Sequence, residues 1–252
     1  MKIGPDWPYP LWIAHRGAGK LAPENTLAAF RLGATHGYRA FECDVKLSAD
    51  GVPFLLHDAT LARTTSGSGE AGALSWAELA GLDAGAWHSR AYAGEAPPSL
   101  AAIARFCRSN DYLLDIEIKP SPGRETETGE CVAREAARLW RGAPVPPLLS
   151  SFRADSLEAA RGAVPDLPRA LLLDALPSGW FEQARALDCA AVITAYALMD
   201  APLVERLHAA NMRALVYTVN DPAEVQRLTS FGIDGIVTDA VDRFSPASSG
   251  LA

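Results

Sequence analysis

Short apolar runs alternate with longer segments of helical periodicity along most of this chain, and this alternation restricts the folds it can adopt. The apolar runs, which we predict to be β-strands, are 11–14, 41–45, 112–118, 147–151, 169–173, 191–194, 213–219 and 235–238. The predicted helices between them are 25–36, 99–109, 125–141, 154–162, 178–187, 201–210 and 222–231. Alternating strand and helix patterns are typical of βα units around a parallel sheet. Eight strands in this rhythm favour a closed (β/α)8 barrel, the TIM barrel, over an open sheet, so the predicted fold class is α/β.

One segment breaks the alternation. A short apolar run at 52–56 follows the second strand, and about 40 residues then separate it from the next predicted helix, whereas a βα connection usually has about 2 to 6. This segment has a loop-like composition at 64–69 and a helical pattern at 76–82. A chain of 252 residues is long enough for one barrel or for two small domains. We therefore predict a single TIM-barrel domain over 1–252, with a small insertion at about 58–98 after the second strand.

The overall composition argues against several classes of protein. Hydrophobic residues make up 49% and charged residues 21%, as in ordinary globular proteins. The net charge of −7 argues against a nucleic-acid partner, which would require a basic surface. The chain has neither an apolar run long enough for a membrane span nor an initial segment typical of a signal peptide. The four cysteines form no CxxC pair, so we expect reduced thiols and a cytoplasmic protein; the oligomeric state is left open.

Two carboxylates lie within the second predicted strand. Side chains two positions apart on a strand share a face, so Glu42 and Asp44 point one way while Phe41, Cys43 and Val45 point the other. Two like charges at the end of a buried strand repel each other and are costly to desolvate. A divalent cation between them would remove that cost.

The third predicted strand extends this acidic group. Asp115, Glu117 and Lys119 alternate with isoleucines and are therefore expected to face the barrel interior. We expect Glu42, Asp44 and Glu117 to form an all-oxygen ligand set, which suits the hard cations Mg²⁺ and Ca²⁺. Asp115 lies deeper in its strand, and we interpret it as a structural partner of the network and not as a ligand.

Basic and proton-transferring residues are predicted at the same end of the barrel. His15 and Arg16 end the first strand, His57 follows the short strand, and Lys119 ends the third. Arg16 and Lys119 could bind a phosphate, and the two histidines could transfer protons near neutral pH. A Lewis acid, charge clamps, a base and an acid are the groups that phosphodiester hydrolysis requires. The other histidines, which we expect to be structural, are His36, His88 and His208.

The motifs in this chain, taken together, resemble the glycerophosphodiester phosphodiesterase family over nearly the whole length. The segments that carry the resemblance are His15-Arg16-Gly17, Pro23-Glu24-Asn25-Thr26, Glu42-x-Asp44-Val45, His57-Asp58, Arg63-Thr64-Thr65-x-Gly67-x-Gly69, Leu82-Asp83-Ala84-Gly85, Glu117-Ile118-Lys119, Ser151-Phe152, Thr218-Val219-Asn220 and Gly232-x-Asp234-Gly235-Ile236-x-Thr238-Asp239. Each motif is weak alone, but their order and spacing are those of the family.

The resemblance implies a TIM barrel with an insertion after strand two, and cleavage of a glycerophosphodiester into sn-glycerol 3-phosphate and an alcohol. It implies these roles: divalent metal binding by Glu42, Asp44 and Glu117; acid and base catalysis by His15 and His57; phosphate binding by Arg16 and Lys119; support of the first loop by Glu24 and Asn25. Many relatives carry tryptophan where this chain has Tyr217, an aromatic residue expected to pack on the glycerol carbons.

The sequence also leaves alternatives open. A related activity would be that of a lysophospholipase D acting on one-chain lipids, and a different class would be a non-catalytic phosphate-binding barrel. In the hydrolytic mechanism His15 is the preferred base and His57 the preferred acid. The glycerol 2-hydroxyl could attack first and give a cyclic phosphate, or water could attack directly.

Overall fold

The computed structural model of the protein describes residues 7–244 and 246. Nine strands in this part of the chain form one sheet: β1 (Trp12–Ala14), β2 (Ala40–Leu47), β3 (Pro53–Leu55), β4 (Leu113–Ile118), β5 (Leu148–Ser151), β6 (Arg169–Leu173), β7 (Ala191–Ala195), β8 (Arg213–Tyr217) and β9 (Gly235–Thr238). All neighbouring pairs are parallel except β2–β3. Because β1 pairs with both β2 and β9, the eight parallel strands close into a barrel. The predicted TIM barrel is confirmed.

Helices cover the outside of this barrel. They are α1 (Leu27–Thr35), α2 (Trp76–Leu79), α3 (Leu100–Ser109), α4 (Glu125–Leu139), α5 (Ala154–Ala163), α6 (Trp180–Ala186), α7 (Ala201–Ala209) and α8 (Pro222–Ser230). Side-chain oxygens of Thr26, Ser99 and Asp200 cap the first turns of α1, α3 and α7, which satisfies backbone N–H groups that have no partner within the helix. None of the helices in the described residues combines the length and apolar composition that crossing a bilayer requires.

The two faces of each strand pack against different surroundings. Phe41, Cys43 and Val45 lie in an apolar layer between the strands and the helices, on the face opposite to Glu42 and Asp44, as the period of two predicts. A second apolar cluster fills the interior of the barrel below the carboxylates. It contains Tyr9, Ile13, Ala40, Leu148, Ala170, Leu172, Ala191, Ile193, Leu215 and Val237. Each large aliphatic side chain buried in this way contributes about 1.5–3 kcal/mol.

The start of α1 differs from the sequence prediction of 25–36. Thr26 is the N-cap, and its hydroxyl accepts a hydrogen bond from the backbone N–H of Ala29. Asn25 precedes the helix and has a left-handed backbone with a φ of 58°. Asparagine tolerates this conformation better than most residues, and here it directs the side chain into the barrel rim and not along a helix.

The segment between β3 and α3 packs over the carboxyl end of the second strand. It contains α2 and two short 3₁₀ helices, Ala71–Ala73 and Arg90–Tyr92. Its apolar core is small and consists of Phe54, Leu56, Leu61, Ala71 and Leu79. The helix predicted at 76–82 is shorter, since α2 ends at Leu79. This segment brings His57, Asp58 and Arg63 to the rim of the barrel.

Replacing Gly33 by alanine should destabilise the protein by about 1–3 kcal/mol, since added atoms in a packed site force the backbone to move. A Cβ at Gly33 of α1 would overlap the backbone carbonyl oxygen of Gly17, and it would lie 2.9 Å from the ring of Phe41. The free energy of unfolding, measured with urea, tests this. The matched control is Gly162→Ala in α5, where nothing lies within 4 Å, and it should be neutral or up to about 1 kcal/mol stabilising. Equal effects of the two changes would contradict the prediction.

Candidate active site

Three buried carboxylates from two neighbouring strands meet at the carboxyl end of the barrel. Glu42 and Asp44 lie on β2 and Glu117 on β4, and the register pairs Asp44 with Glu117. One carboxylate oxygen from each residue lies within 4.8 Å of the other two. The sequence prediction that Glu42, Asp44 and Glu117 come together therefore agrees with the structure.

The electrostatics of this cluster favour a bound cation. Burial, followed by repulsion from Asp44, raises the pKa of Glu42 well above its usual value and that of Glu117 to about 7. Burial would also raise the pKa of Asp44, but the charges of Arg16 and Lys119 outweigh it and hold this pKa below the usual range. The three carboxylates thus oppose one another's ionisation, and a divalent cation would remove that opposition.

The donor set also fits such an ion. Asp44 Oδ1 is buried and lies 3.2 Å from Lys119 Nζ, but within residues 7–244 and 246 it accepts no well-aligned hydrogen bond. A buried oxygen without a hydrogen bond is costly unless something else binds it. Because all three ligand atoms are carboxylate oxygens, the cluster could hold a hard divalent cation.

The loop after β1 wraps around Asp44 and Glu42. The backbone N–H of Arg16 donates to Glu42 Oε2 at 3.1 Å, and its Nε lies 3.2 Å from Asp44 Oδ2. Asn25 donates through Nδ2 to Asp44 Oδ2 at 2.8 Å and accepts from the Asp44 backbone N–H at 3.1 Å. Glu24 Oε1 accepts from Arg16 Nη1 at 2.8 Å. Asn25 therefore contacts the cluster directly through Asp44, and Glu24 contacts it indirectly through Arg16.

Each of the two predicted catalytic histidines contacts an aspartate through its Nδ1 atom. His15 Nδ1 lies 2.6 Å from Asp239 Oδ1, and His57 Nδ1 lies 2.7 Å from Asp58 Oδ1. With Nδ1 engaged, Nε2 of each ring is left for another partner. Nε2 of His15 lies 3.8 Å from Glu42 Oε2, beside the carboxylate cluster. The aspartates therefore fix the orientation of both imidazole rings.

The remaining predicted residues, Lys119 and Tyr217, line a small cavity. Its volume is about 180 Å³, and its walls include both histidines, Arg16, Glu42, Glu117, Lys119, Phe152 and Tyr217. Lys119 Nζ donates to Glu117 Oε1 at 2.9 Å. Tyr217 donates to the carbonyl of Leu173 at 3.3 Å, and its ring meets that of Phe152 edge-on. Asp115 is buried deeper, where Ser150 donates to it at 2.7 Å, which agrees with a structural role.

Some residues of the rim, among them Asn220, Lys46, Phe152 and Asp239, have contacts that the sequence did not predict. Asn220 Nδ2 donates to Asp239 Oδ2 at 3.2 Å, and Asn220 Oδ1 accepts from the Asp239 backbone N–H at 2.9 Å, so Asn220 holds the partner of His15. Lys46 shares the inward face of β2 and donates through Nζ to the carbonyl of Lys119 at 3.0 Å. The ring of Phe152 lies 5.9 Å from Lys119 Nζ. The period of two that places Glu42 and Asp44 inward would have placed Lys46 there as well, had the second strand been predicted to extend to Leu47. Asn220, Asp239 and Phe152 belong to motifs that carry the family resemblance.

A larger cavity, of about 450 Å³, lies at the opposite end of the barrel. It is lined by residues such as Trp7 and by Arg169 and Arg213, which begin β6 and β8. None of the predicted site residues lines it. In TIM barrels the carboxyl ends of the strands carry the chemistry, so the smaller cavity is the candidate site.

The chain is similar in sequence to known proteins along most of its length. The sequence model of the glycerophosphoryl diester phosphodiesterase family matches residues 15–243. A glycerophosphodiester phosphodiesterase from Caldanaerobacter subterraneus is 32% identical over 91% of this chain and 93% of its own length.

Solved structures show the same similarity. A phosphodiesterase from Oleispira antarctica, solved in complex with the product sn-glycerol-3-phosphate, has a TM-score of 0.87 and 34% identity over 93% of this chain and 95% of its own. A glycerophosphodiester phosphodiesterase from Agrobacterium tumefaciens has a TM-score of 0.79 and 27% identity over 94% and 99% of the two chains. The family match extends from the first catalytic candidate to beyond β9, and we conclude that this chain belongs to the glycerophosphoryl diester phosphodiesterase family of enzymes.

Proposed function

We propose that this protein is a metal-dependent hydrolase that cleaves glycerophosphodiesters into sn-glycerol 3-phosphate and an alcohol. The observation that carries the proposal is the meeting of the three carboxylates within 4.8 Å, beside two histidines that are each held by an aspartate. The product complex of the Oleispira antarctica relative supports the same substrate class.

In this proposal Glu42, Asp44 and Glu117 hold Mg²⁺ or Ca²⁺. The ion, when bound, supplies Lewis-acid stabilisation of the charge that develops on the phosphoryl oxygens. Arg16 and Lys119 bind the same non-bridging oxygens; their positive charges already face the cluster, because Arg16 Nε and Lys119 Nζ each lie 3.2 Å from an Asp44 oxygen.

The two histidines move the protons. His15, with Nδ1 held by Asp239, acts as the base through Nε2, and His57, with Nδ1 held by Asp58, protonates the leaving alcohol. The carboxylate partners fix the orientation of the two rings. Tyr217 lines the same cavity, and in this proposal the glycerol carbons pack against its aromatic ring.

The cavity size supports placing the glycerol phosphate half inside and the alcohol outside. Pockets that enclose a drug-sized ligand usually have about 300–1,000 Å³, whereas this cavity has about 180 Å³.

We propose that the glycerol 2-hydroxyl attacks phosphorus first, giving a cyclic phosphate that water then opens. A substrate in which that hydroxyl is replaced by hydrogen separates this route from direct attack by water, because only direct attack would leave its cleavage rate unchanged.

Release of sn-glycerol 3-phosphate tests the function itself. The wild-type protein should release it from glycerophosphocholine, glycerophosphoethanolamine and glycerophosphoglycerol, and EDTA should abolish release until Mg²⁺ or Ca²⁺ is added back. No release with either ion would overturn the proposal.

A second candidate activity is that of a lysophospholipase D on one-chain lipids. Phe152 and Leu176 are 38% and 40% exposed on the loops that follow β5 and β6, at the same rim as the site, and they could contact an acyl chain. Turnover of lysophosphatidylcholine, compared with glycerophosphocholine at equal concentration, decides between the two. Faster choline release from the lipid, reduced by Leu176→Ser, would favour this second activity.

A further inference from the structure

The guanidinium of Arg63, in the segment between β3 and α3, bridges two carboxylates. Its Nε and Nη2 donate to the two oxygens of Asp58 at 2.6 and 3.0 Å. Its Nη1 and Nη2 donate to the two oxygens of Glu24 at 2.8 and 2.7 Å. Both contacts are bidentate, and a planar guanidinium fixes the position and the orientation of a carboxylate bound in this way.

Each of these carboxylates also contacts a residue that the proposed function uses. Asp58 Oδ1 lies 2.7 Å from His57 Nδ1, and Glu24 Oε1 accepts from Arg16 Nη1 at 2.8 Å. A continuous chain of contacts therefore runs from His57 through Asp58, Arg63 and Glu24 to Arg16. Its two ends are the proposed proton donor and one of the proposed phosphate-binding groups.

A purely structural role explains this arrangement less well. The Arg63 side chain is 43% exposed, and exposed ion pairs contribute little to stability, about 0–1 kcal/mol. The apolar core of its segment is formed by Phe54, Leu56 and their neighbours and does not include Arg63. Without Arg63, no guanidinium would bridge the carboxylates of Asp58 and Glu24, and these two negative charges would repel each other. Because Asp58 contacts His57 and Glu24 contacts Arg16, a displacement of the carboxylates would also displace His57 and Arg16.

We propose that Arg63 is a positioning residue that fixes the placement of His57 relative to Arg16, an inference that rests on the proposed function. The inserted segment thereby couples proton donation to phosphate binding. Lysine cannot replace Arg63, because an ammonium group does not bind two carboxylates in bidentate fashion.

Steady-state kinetics of Arg63→Ala and Arg63→Lys with glycerophosphocholine test this inference. Displacements of about 1 Å can cost roughly 100-fold in rate, so we expect kcat to fall about 10- to 100-fold in Arg63→Ala, with a smaller change in KM. Millimolar guanidinium should restore part of the lost kcat in Arg63→Ala, and Arg63→Lys should remain impaired. The matched control is Arg134→Ala, which removes a 67% exposed arginine that pairs with Glu130 on α4 and should leave kcat unchanged.

Nitrogen NMR of the histidine rings gives a readout that does not depend on turnover. The His57 ring signals should shift in Arg63→Ala and stay fixed in Arg134→Ala, while thermal unfolding shows that both variants are folded. Unchanged ring signals, a kcat within twofold of the wild type, or a loss of kcat that guanidinium does not restore would overturn the positioning role. A wild type that releases no glycerol 3-phosphate would instead overturn the proposed function, and the NMR result would still decide the role of Arg63.

Discussion

Replacing Asp44 by asparagine should lower kcat for glycerophosphocholine by about 1,000-fold or more. Asp44 is the most buried of the three clustered carboxylates, and it accepts from Asn25 while facing the charges of Arg16 and Lys119. The neutral amide cannot bind a hard divalent cation as a carboxylate does, and it removes one of the two carboxylates that face each of Arg16 and Lys119. Loss of several kcal/mol of charge stabilisation in the transition state corresponds to a rate loss of that size.

The same variant should lose metal binding in the absence of substrate. Mg²⁺ or Ca²⁺ should raise the thermal midpoint of the wild type, because an ion that binds only the folded state stabilises it, and should have little effect on Asp44→Asn. The matched control is Asp155→Asn at an exposed position in the first turn of α5, which should keep both activity and the metal-induced shift. Wild-type kcat in Asp44→Asn, or an equal metal-induced shift, would contradict the assignment of the metal site.

Replacing either His15 or His57 by alanine should lower kcat about 100- to 10,000-fold, the usual contribution of a general acid or base. Both rings are held through Nδ1 by a carboxylate and line the same small cavity. His208→Ala is the control of the same residue type; His208 Nε2 lies 2.6 Å from Asp234 at the opposite end of the barrel. Full activity in His15→Ala and His57→Ala, measured by release of glycerol 3-phosphate, would remove the histidine pair from the mechanism.

The pH dependence of kcat/KM assigns the two roles. Burial, with further contributions from Arg16 and Lys119, lowers the pKa of His57 below its usual value, although Asp44 and Asp58 oppose this shift. An acid must be protonated to act, so kcat/KM should fall as the pH rises through this lowered pKa. His57→Ala should remove that alkaline limb and keep the acid limb. If His57→Ala removed the acid limb of the profile instead, His57 would be the base and His15 the acid.

The sequence was sufficient for the fold class and for the carboxylate cluster. Local periodicity decides which residues of a strand face inward, so Glu42 and Asp44 could be placed together, and Glu117 and Lys119 could be placed on the inward face of a later strand. The closed barrel followed from the number of βα units. The start of α1 was wrong by two residues, because the motif after Pro23 contains a left-handed Asn25 that local helical pattern does not reveal.

Contacts between residues far apart in sequence were decided only by the tertiary structure. Closure of β9 against β1 brings Asp239 to His15 across 224 positions, and no local pattern encodes that distance. The path of the inserted segment likewise sets Arg63 against Glu24, 39 positions earlier. Periodicity fixes the direction of a side chain along its own strand or helix. The partner of a side chain depends on strand register and loop path, which result from packing of the whole barrel.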